Sequence, residues 1–263
     1  MGAIPSSTLG YEKLFNPAFQ FRDEDKFVNW LLAGQPEAPR YFAQMKKVNK
    51  EGPALLKDLP PVKQIGRDKL DALVAEGLFV ADLRSREAYV NAHVPGTVSV
   101  PARKDFSTFI GWFVDFDKPF YFIVPAPAEL DELIMAMRSI GVDNIAGYAL
   151  PEVVDGKNAQ LPEWSATELQ ERLPKNGLVV IDVRNKTEYL EEHIKGAKHI
   201  QLGQLPKHLD EIPHDHTVIT QCGSGYRSQI AASLLKARGF DNVVNLRDGV
   251  ELWSKVVTTV RGD

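Results

Sequence analysis

The residues best suited to chemistry lie in one short loop, residues 222–227 (CGSGYR), which holds the only cysteine of the 263-residue chain. The β-branched run Thr217–Gln221 before it predicts a buried strand. The pattern after it predicts a helix with core-facing positions at Ile230, Leu234 and Leu235. A strand–loop–helix of this kind turns backbone N–H groups toward one point, which favours anions and the thiolate, the nucleophilic form of cysteine.

Two interpretations of Cys222 compete. A lone cysteine can be a small apolar residue that ends a buried strand. Gly223, Gly225 and Arg227, five positions after the thiol, favour a reactive cysteine in an anion-binding loop instead.

The composition limits the classes of function. Hydrophobic residues make up 44% and charged residues 25% of the chain, which predicts a soluble globular protein of about two domains. A net charge of −4 gives no reason to expect a nucleic acid or a membrane as partner. One cysteine excludes an intramolecular disulfide framework. No secretory pattern or bilayer-length apolar stretch is present, so we expect a cytoplasmic protein.

Two helices are predicted in the first part of the chain. The first is capped by Asp23 and runs to Leu32, with Gly34 just after it. The second starts at Pro39 and is closed by Gly52. Two short helices bury little by themselves, so they must pack on the following domain or on a partner.

From residue 62 onward the sequence repeats itself. The matching positions are Asp82 and Asp182, Arg84 and Arg184, Tyr89 and Tyr189, His93 and His193, Gly96 and Gly196, and Gly141 and Gly239. Short apolar strands alternate with helical segments in both copies, one of which opens on a capping box at Ser165 and Glu168. This predicts an α/β fold with two domains, each a mainly parallel central sheet flanked by helices. We place the domains at 62–150 and 160–260, after a helical segment at 1–60.

The first copy lacks the chemistry. A gapless alignment places Val124 opposite Cys222 and Glu129 opposite Arg227. Two prolines in the same loop remove backbone donors, which spoils the anion-binding concavity. The domain at 62–150 is therefore predicted to be inactive.

Residues that both copies keep are interpreted as structural. Asp182 and Arg184 are predicted to support the loop, and His193 to serve the fold. Trp253 is predicted to lie in the core. The remaining histidines lack metal-ligand spacing, so no metal site is expected.

The motifs of the second copy are IDVR at 181–184, HIKGA at 193–197, CGSGYR at 222–227 and GFDNVV at 239–244. Together they resemble the rhodanese (sulfurtransferase) family. The resemblance implies that Cys222 takes a sulfane sulfur from thiosulfate or a low-molecular-weight persulfide. The resulting persulfide would pass the sulfur to sulfite, cyanide or a thiol. The substrate-binding residues that it implies are Gly223, Ser224, Gly225, Tyr226 and Arg227.

The chain departs from the family pattern at two positions, and the place of a third residue is open. The family often has an arginine where this chain has Gly223, which weakens the case for thiosulfate itself. It tends to have glycine where this chain has Asp248, interpreted as a tolerated backbone position. The Tyr226 side chain is a candidate to project outward and line the pocket mouth, with a buried position as the alternative.

The N-terminal motif at residues 2–16 (GAIPSSTLGYEKLFN), with residues 35–42 and 45–49, resembles the tail of a metallo-β-lactamase-fold persulfide dioxygenase. That family is sometimes fused to tandem rhodanese units. No histidine precedes His93, so the iron of such an enzyme is expected only in a possible upstream dioxygenase domain, with no cofactor in this chain. The alternative is a plain helical arm.

Two other functions stay open. Cysteine phosphatases space their cysteine and arginine as C-x5-R, whereas Cys222 and Arg227 are spaced as C-x4-R, a tighter cradle suited to a persulfide. A non-catalytic tandem rhodanese-like scaffold is the second alternative, against which the intact Cys222 loop argues.

Overall fold

The structure is a computed structural model that describes residues 6–33, 35, 38–156, 158–173 and 177–262. Gly34, predicted to follow the first helix, and residues 2–5 and 36–37 of the N-terminal motif lie outside these ranges. The chain divides into two compact units, Met1–Glu37 and Ala38–Asp263. Within the described ranges, none of the helices combines the length and the apolar composition that a bilayer crossing requires.

The smaller unit contains the helices α1 (Leu9–Phe15) and α2 (Glu24–Leu32). Asp23 caps α2 as predicted, because its Oδ1 accepts a hydrogen bond from the backbone N–H of Lys26 at 2.9 Å. The predicted C-terminal end of this helix is also confirmed. Neither helix has a buried side chain.

The second predicted helix, α3 (Arg40–Glu51), belongs to the larger unit. Pro39 precedes it and Gly52 follows it, as predicted. Tyr41 lies so close to Gly111 that a Cβ added to this glycine would come within 2.6 Å of the tyrosine ring. This helix therefore packs on the chain that follows it, one of the two predicted alternatives.

The larger unit contains two five-stranded parallel sheets with the same strand order. The strands of the first sheet are β1 (Lys63–Gln64), β2 (Val80–Asp82), β3 (Val98–Ser99), β4 (Phe120–Ile123) and β5 (Ile145–Ala149). The strands that follow are β6 (Glu163–Trp164), β7 (Leu178–Asp182), β8 (His193–Ile194), β9 (Lys198–His199), β10 (Thr217–Gln221), β11 (Val243–Leu246) and β12 (Thr259–Val260). The spatial orders are β1-β5-β4-β2-β3 and β6-β11-β10-β7-β9, while β8 and β12 form an antiparallel pair. The predicted α/β class with parallel sheets is confirmed.

Helices alternate with these strands. They are α4 (Arg67–Ala75), α5 (Arg86–Asn91), α6 (Phe106–Phe113), α7 (Leu130–Arg138), α8 (Ala166–Arg172), α9 (Lys186–Glu191), α10 (Tyr226–Ala237) and α11 (Val250–Val256). The predicted capping box at the start of α8 is present, since Ser165 and Glu168 each bond the other's backbone N–H.

The register of the two sheets tests the alignment of the two copies. Ile123 pairs with Asp82 in the first sheet, and Gln221 pairs with Asp182 in the second. Val124 and Cys222 each come next after these residues, so the predicted equivalence of the two positions is confirmed.

Helix α10 lies between its own sheet and the first half of the unit. Ile230, Leu234 and Leu235 are buried as predicted, but so are Ser228, Gln229 and Ser233 on other faces of the helix. Ser233 Oγ accepts a hydrogen bond from the backbone N–H of Ser99 in β3, at 2.9 Å. Polar side chains on such a buried helix require hydrogen-bond partners within the protein, and Ser233 and Gln229 have them.

Candidate functional site

Cys222 directly follows β10 and opens the short loop into α10, where it is fully buried. The loop turns at Gly225, whose φ of +80° lies in the left-handed region. A Cβ at Gly225 would come within 2.6 Å of both Arg247 O and Arg86 Nη2, so the position has neither the backbone geometry nor the space for another residue.

The Cys222 sulfur is surrounded by hydrogen-bond donors. The backbone N–H groups of Gly225 and Ser228 donate to Sγ at 3.2 and 3.3 Å. The thiol in turn lies 3.4 Å from Ser228 Oγ, which can donate to the sulfur once the thiol is ionised. The arrangement is a small anion-binding nest centred on sulfur, of the kind predicted from the loop sequence.

Ser228 was missed by the sequence analysis. It lies six positions after Cys222, in the first turn of α10, and is fully buried. A polar residue in the first turn of the helix after the loop could have indicated this role. That its N–H and hydroxyl face the sulfur, however, follows only from the turn at Gly225.

Arg227 is paired with Glu188 of α9. Nη1 and Nη2 donate to the two carboxylate oxygens at 2.7 and 2.6 Å, in the bidentate geometry that makes such pairs strong. Burial works to lower the pKa of Arg227, but the hydrogen bonds and charge of Glu188 outweigh it and raise that pKa. The guanidinium thus holds the loop to α9.

Tyr226 does not project outward. Its side chain is buried, its hydroxyl donates to Pro101 O at 2.8 Å, and its ring packs 5.2 Å from that of Phe109. The expectation of a side chain lining the pocket mouth was wrong, because the first half of the unit covers this face of the loop. Burial also raises the pKa of the Tyr226 hydroxyl.

Asp182 and Arg184 form the supporting pair that the sequence predicts. Arg184 Nη2 donates to Asp182 Oδ2 and to the backbone oxygen of Glu192, both at 2.6 Å. Asp82 and Arg84 make the same Nη2–Oδ2 contact at 2.6 Å in the half that lacks the cysteine. This recurrence supports a structural role.

The two paired histidines also repeat a structural contact. His93 stacks on Tyr89 and His193 on Tyr189, at ring distances of 3.9 and 3.7 Å. Burial lowers the pKa of His93. Among the residues that the structure describes, no three His, Cys, Asp or Glu side chains cluster closely enough to hold a metal ion.

Trp253 supports the loop, whereas Asp248 bonds the start of α8. Trp253 is fully buried as predicted, and its Nε1 donates to Cys222 O at 3.3 Å. Asp248 adopts no left-handed backbone angle, so the position does not require the conformational tolerance that was invoked for it. Its carboxylate instead accepts a hydrogen bond from the backbone N–H of Ala166, at 2.7 Å, at the start of α8.

Comparison with known proteins gives the class of this site. The sequence profile of the rhodanese-like domain matches residues 165–256. The thiosulfate sulfurtransferase GlpE of Stutzerimonas stutzeri is 36% identical over 77 residues, which are 29% of this chain and 71% of that protein. The chain therefore belongs to the rhodanese (sulfurtransferase) family.

Two further proteins are matched over about half of their own length or less. YrkF of Bacillus subtilis, named as a sulfur carrier protein, is 33% identical over 97 residues, which are 36% of this chain and 52% of that protein. A solved metallo-beta-lactamase structure from Staphylococcus aureus is 37% identical over 57% of this chain and 42% of that chain, with a TM-score of 0.45. This chain spans about half the length of YrkF and less than half of the staphylococcal chain.

Proposed function

We propose that the protein is a sulfurtransferase that carries a sulfane sulfur on Cys222 as a persulfide. The observation that carries the proposal is the pair of hydrogen bonds to the Cys222 sulfur. The backbone N–H groups of Gly225 and Ser228 donate to it at 3.2 and 3.3 Å. A persulfide is an anion near neutral pH, and fixed backbone dipoles stabilise such an anion without reorganising.

Each half of the reaction is a displacement at sulfur. The Cys222 thiolate attacks the outer sulfur of the donor, the donor's sulfur–sulfur bond breaks, and sulfite or a thiolate leaves with the bonding electron pair. The acceptor then attacks the outer sulfur of the persulfide, and Cys222 leaves as the thiolate. No external oxidant or cofactor is needed, because the sulfur travels as a neutral atom between nucleophiles.

The donor is proposed to be thiosulfate or a low-molecular-weight persulfide, with sulfite, cyanide or a thiol as acceptor. Similarity to a protein named thiosulfate sulfurtransferase supports the first donor. Gly223 supplies no side-chain cation beside the sulfur, and the Arg227 charge is paired with Glu188. Both facts favour a donor whose reacting group carries a single negative charge, as an organic persulfide does, over dianionic thiosulfate.

The proposal extends to the domain organisation. Residues 62–150 are proposed to form an inactive rhodanese-like domain and residues 160–260 an active one, and the shared strand order supports this. Residues 1–60 are proposed to be the tail of a persulfide dioxygenase, which rests on the N-terminal motif alone. In that setting Cys222 would act in sulfide and persulfide metabolism.

A transfer assay tests the proposed function. Purified protein is given thiosulfate or glutathione persulfide with cyanide, and thiocyanate is measured. We expect turnover that is lost in Cys222→Ser. A matched control is the double variant Val124→Cys, Cys222→Ala, which moves the thiol to the equivalent position of the first half, where Pro125 and Pro127 replace amide donors.

The outcomes separate the candidate functions. Turnover by the wild type, and by neither variant, supports sulfur transfer through Cys222. No thiocyanate from any donor would favour the non-catalytic scaffold. Turnover of an aryl phosphate that is lost in Cys222→Ser would favour a cysteine phosphatase.

A further inference from the structure

Both polar groups of the peptide between Ser224 and Gly225 are hydrogen-bonded. Its N–H, from Gly225, donates to Cys222 Sγ at 3.2 Å. Its oxygen, from Ser224, accepts a hydrogen bond from Arg86 Nη1 at 3.3 Å. Because a trans peptide is planar, its C=O and N–H point in opposite directions. A bond that holds the oxygen therefore also decides where the N–H points.

Arg86 belongs to the first half of the unit, 138 residues before Ser224 in the sequence. Its Nε donates to Gln229 Oε1 at 3.0 Å, while Gln229 Nε2 donates back to Arg86 O at 3.2 Å. Gln229 Nε2 also donates to Ser99 Oγ at 2.9 Å, and Gln229 is fully buried. This reciprocal pair fixes the guanidinium against the loop.

The loop needs such a constraint because of its glycine. Glycine adopts left-handed and right-handed backbone angles with similar ease, so the φ of +80° at Gly225 is not enforced by its own sterics. A rotated Ser224–Gly225 peptide would turn its oxygen toward Cys222 and repel a thiolate or persulfide. The bond from Arg86 opposes that rotation.

We propose that Arg86 is a positioning residue for sulfur transfer, which holds the Ser224–Gly225 peptide with its N–H directed at the Cys222 sulfur. This inference rests on the proposed function. The guanidinium also polarises the peptide through its oxygen, which makes the N–H a stronger donor to an anion. The half of the unit that has lost the nucleophile thus supplies a cation that organises the loop of the other half.

The second half provides a matched control at the same position of its own repeat. Lys186 is the first residue of α9, as Arg86 is of α5, and it is exposed. The Arg86 side chain is 28% exposed, so a small cation in solution can reach its place. Glu163 also lies near the guanidinium: its Oε1 is 4.0 Å from Nη2 and accepts a hydrogen bond from Asn245.

The experiment compares Arg86→Met, Arg86→Lys and Lys186→Met with the wild type in the full chain. We expect Arg86→Met to lower kcat for thiocyanate formation roughly tenfold with KM little changed, as for the loss of a charge-assisted hydrogen bond. Arg86→Lys keeps the charge but cannot donate to Ser224 and Gln229 at the same time. Its rate should therefore lie between those of Arg86→Met and the wild type. Lys186→Met should match the wild type. Guanidinium at millimolar concentration should restore part of the lost rate in Arg86→Ala, which leaves the place of the guanidinium vacant.

A second measurement does not depend on turnover. The amide proton resonance of Gly225, recorded by NMR, should move upfield in Arg86→Met and stay in place in Lys186→Met. Equal kcat and an unmoved Gly225 resonance in Arg86→Met would overturn the role of Arg86. If the wild type transfers no sulfur, the proposed function fails, and the Gly225 resonance still decides whether Arg86 orients the peptide. Should Arg86→Met not fold, Arg86→Lys gives the same comparison.

Discussion

Ser228 contacts the sulfur of Cys222 twice: its backbone N–H donates to Sγ at 3.3 Å, and its hydroxyl oxygen accepts from the thiol at 3.4 Å. Both groups lie in the first turn of α10, where helix N–H groups have no partner within the helix. The sulfur therefore takes the place of a capping group at a helix N-terminus, and negative charge on it is stabilised by the helix.

Replacing Ser228 by Ala removes the hydroxyl and keeps the backbone donor. We expect the rate of sulfur transfer to fall roughly tenfold, because one hydrogen bond to the anionic sulfur is lost. Stopped-flow measurement of sulfite release from thiosulfate checks this. The control is Ser233→Ala, also buried in α10, whose hydroxyl donates to Ile230 O and accepts from the backbone N–H of Ser99 and makes no contact with the sulfur. Equal rates in Ser228→Ala and the wild type would remove the hydroxyl from the site.

Gly225→Ala should abolish activity and destabilise the fold. The added Cβ meets Arg247 O and Arg86 Nη2 at 2.6 Å in addition to the strain of the left-handed conformation. Gly239→Ala is the matched control, because Gly239 has a φ of +87° with nothing within 4 Å of its Cβ. Strain alone costs about 1 kcal/mol there. Chemical denaturation should show a clearly larger loss for Gly225→Ala, and an equal loss would argue against close packing at the loop.

Glu188→Gln tests the ion pair with Arg227. Burial works to raise the pKa of Glu188, but the hydrogen bonds and charge of Arg227 outweigh it and hold that pKa below its ordinary value. The pair therefore adds stability at neutral pH, and this is lost as the pH falls through the lowered pKa of the folded state.

We expect Glu188→Gln to lower the free energy of unfolding by about 1 kcal/mol at neutral pH, since both side chains are partly exposed. The difference from the wild type should shrink in acid, as thermal unfolding at several pH values can show. A difference that is constant with pH would contradict the ion pair.

Gln221→Met is expected to stabilise the protein. Gln221 is fully buried, and neither polar atom of its side chain has a hydrogen-bond partner among the described residues. The equivalent position of the first sheet holds the apolar Ile123. Removing an unpaired buried amide should raise the free energy of unfolding by about 1 kcal/mol. A lower melting temperature would mean that this amide is hydrogen-bonded in solution.

The sequence predicted what depends on local patterns. The strand before Cys222, the capping box at Ser165 and the equivalence of Val124 with Cys222 all follow from short-range periodicity and from the repeat. The repeat also showed that Asp182 and Arg184 recur in the first copy, whereas the residues of the Cys222 loop do not.

What the sequence did not predict depends on contacts between the two halves. The Tyr226 hydroxyl finds its acceptor 125 residues away, at Pro101, and Arg86 meets Gln229 across 143 residues. No periodicity encodes such pairs, because they depend on how α10 packs between the two sheets. For the same reason the polar residues on the buried faces of α10 could not be told from exposed ones.

The most direct measurement is the intact mass of the protein after exposure to thiosulfate or glutathione persulfide, followed by peptide mapping of the modified site. Sulfur carriage on Cys222 predicts a gain of one sulfur atom in the wild type, located on Cys222, lost on treatment with sulfite or cyanide, and absent in Cys222→Ala. No gain with any donor, or the same gain in Cys222→Ala, would contradict it.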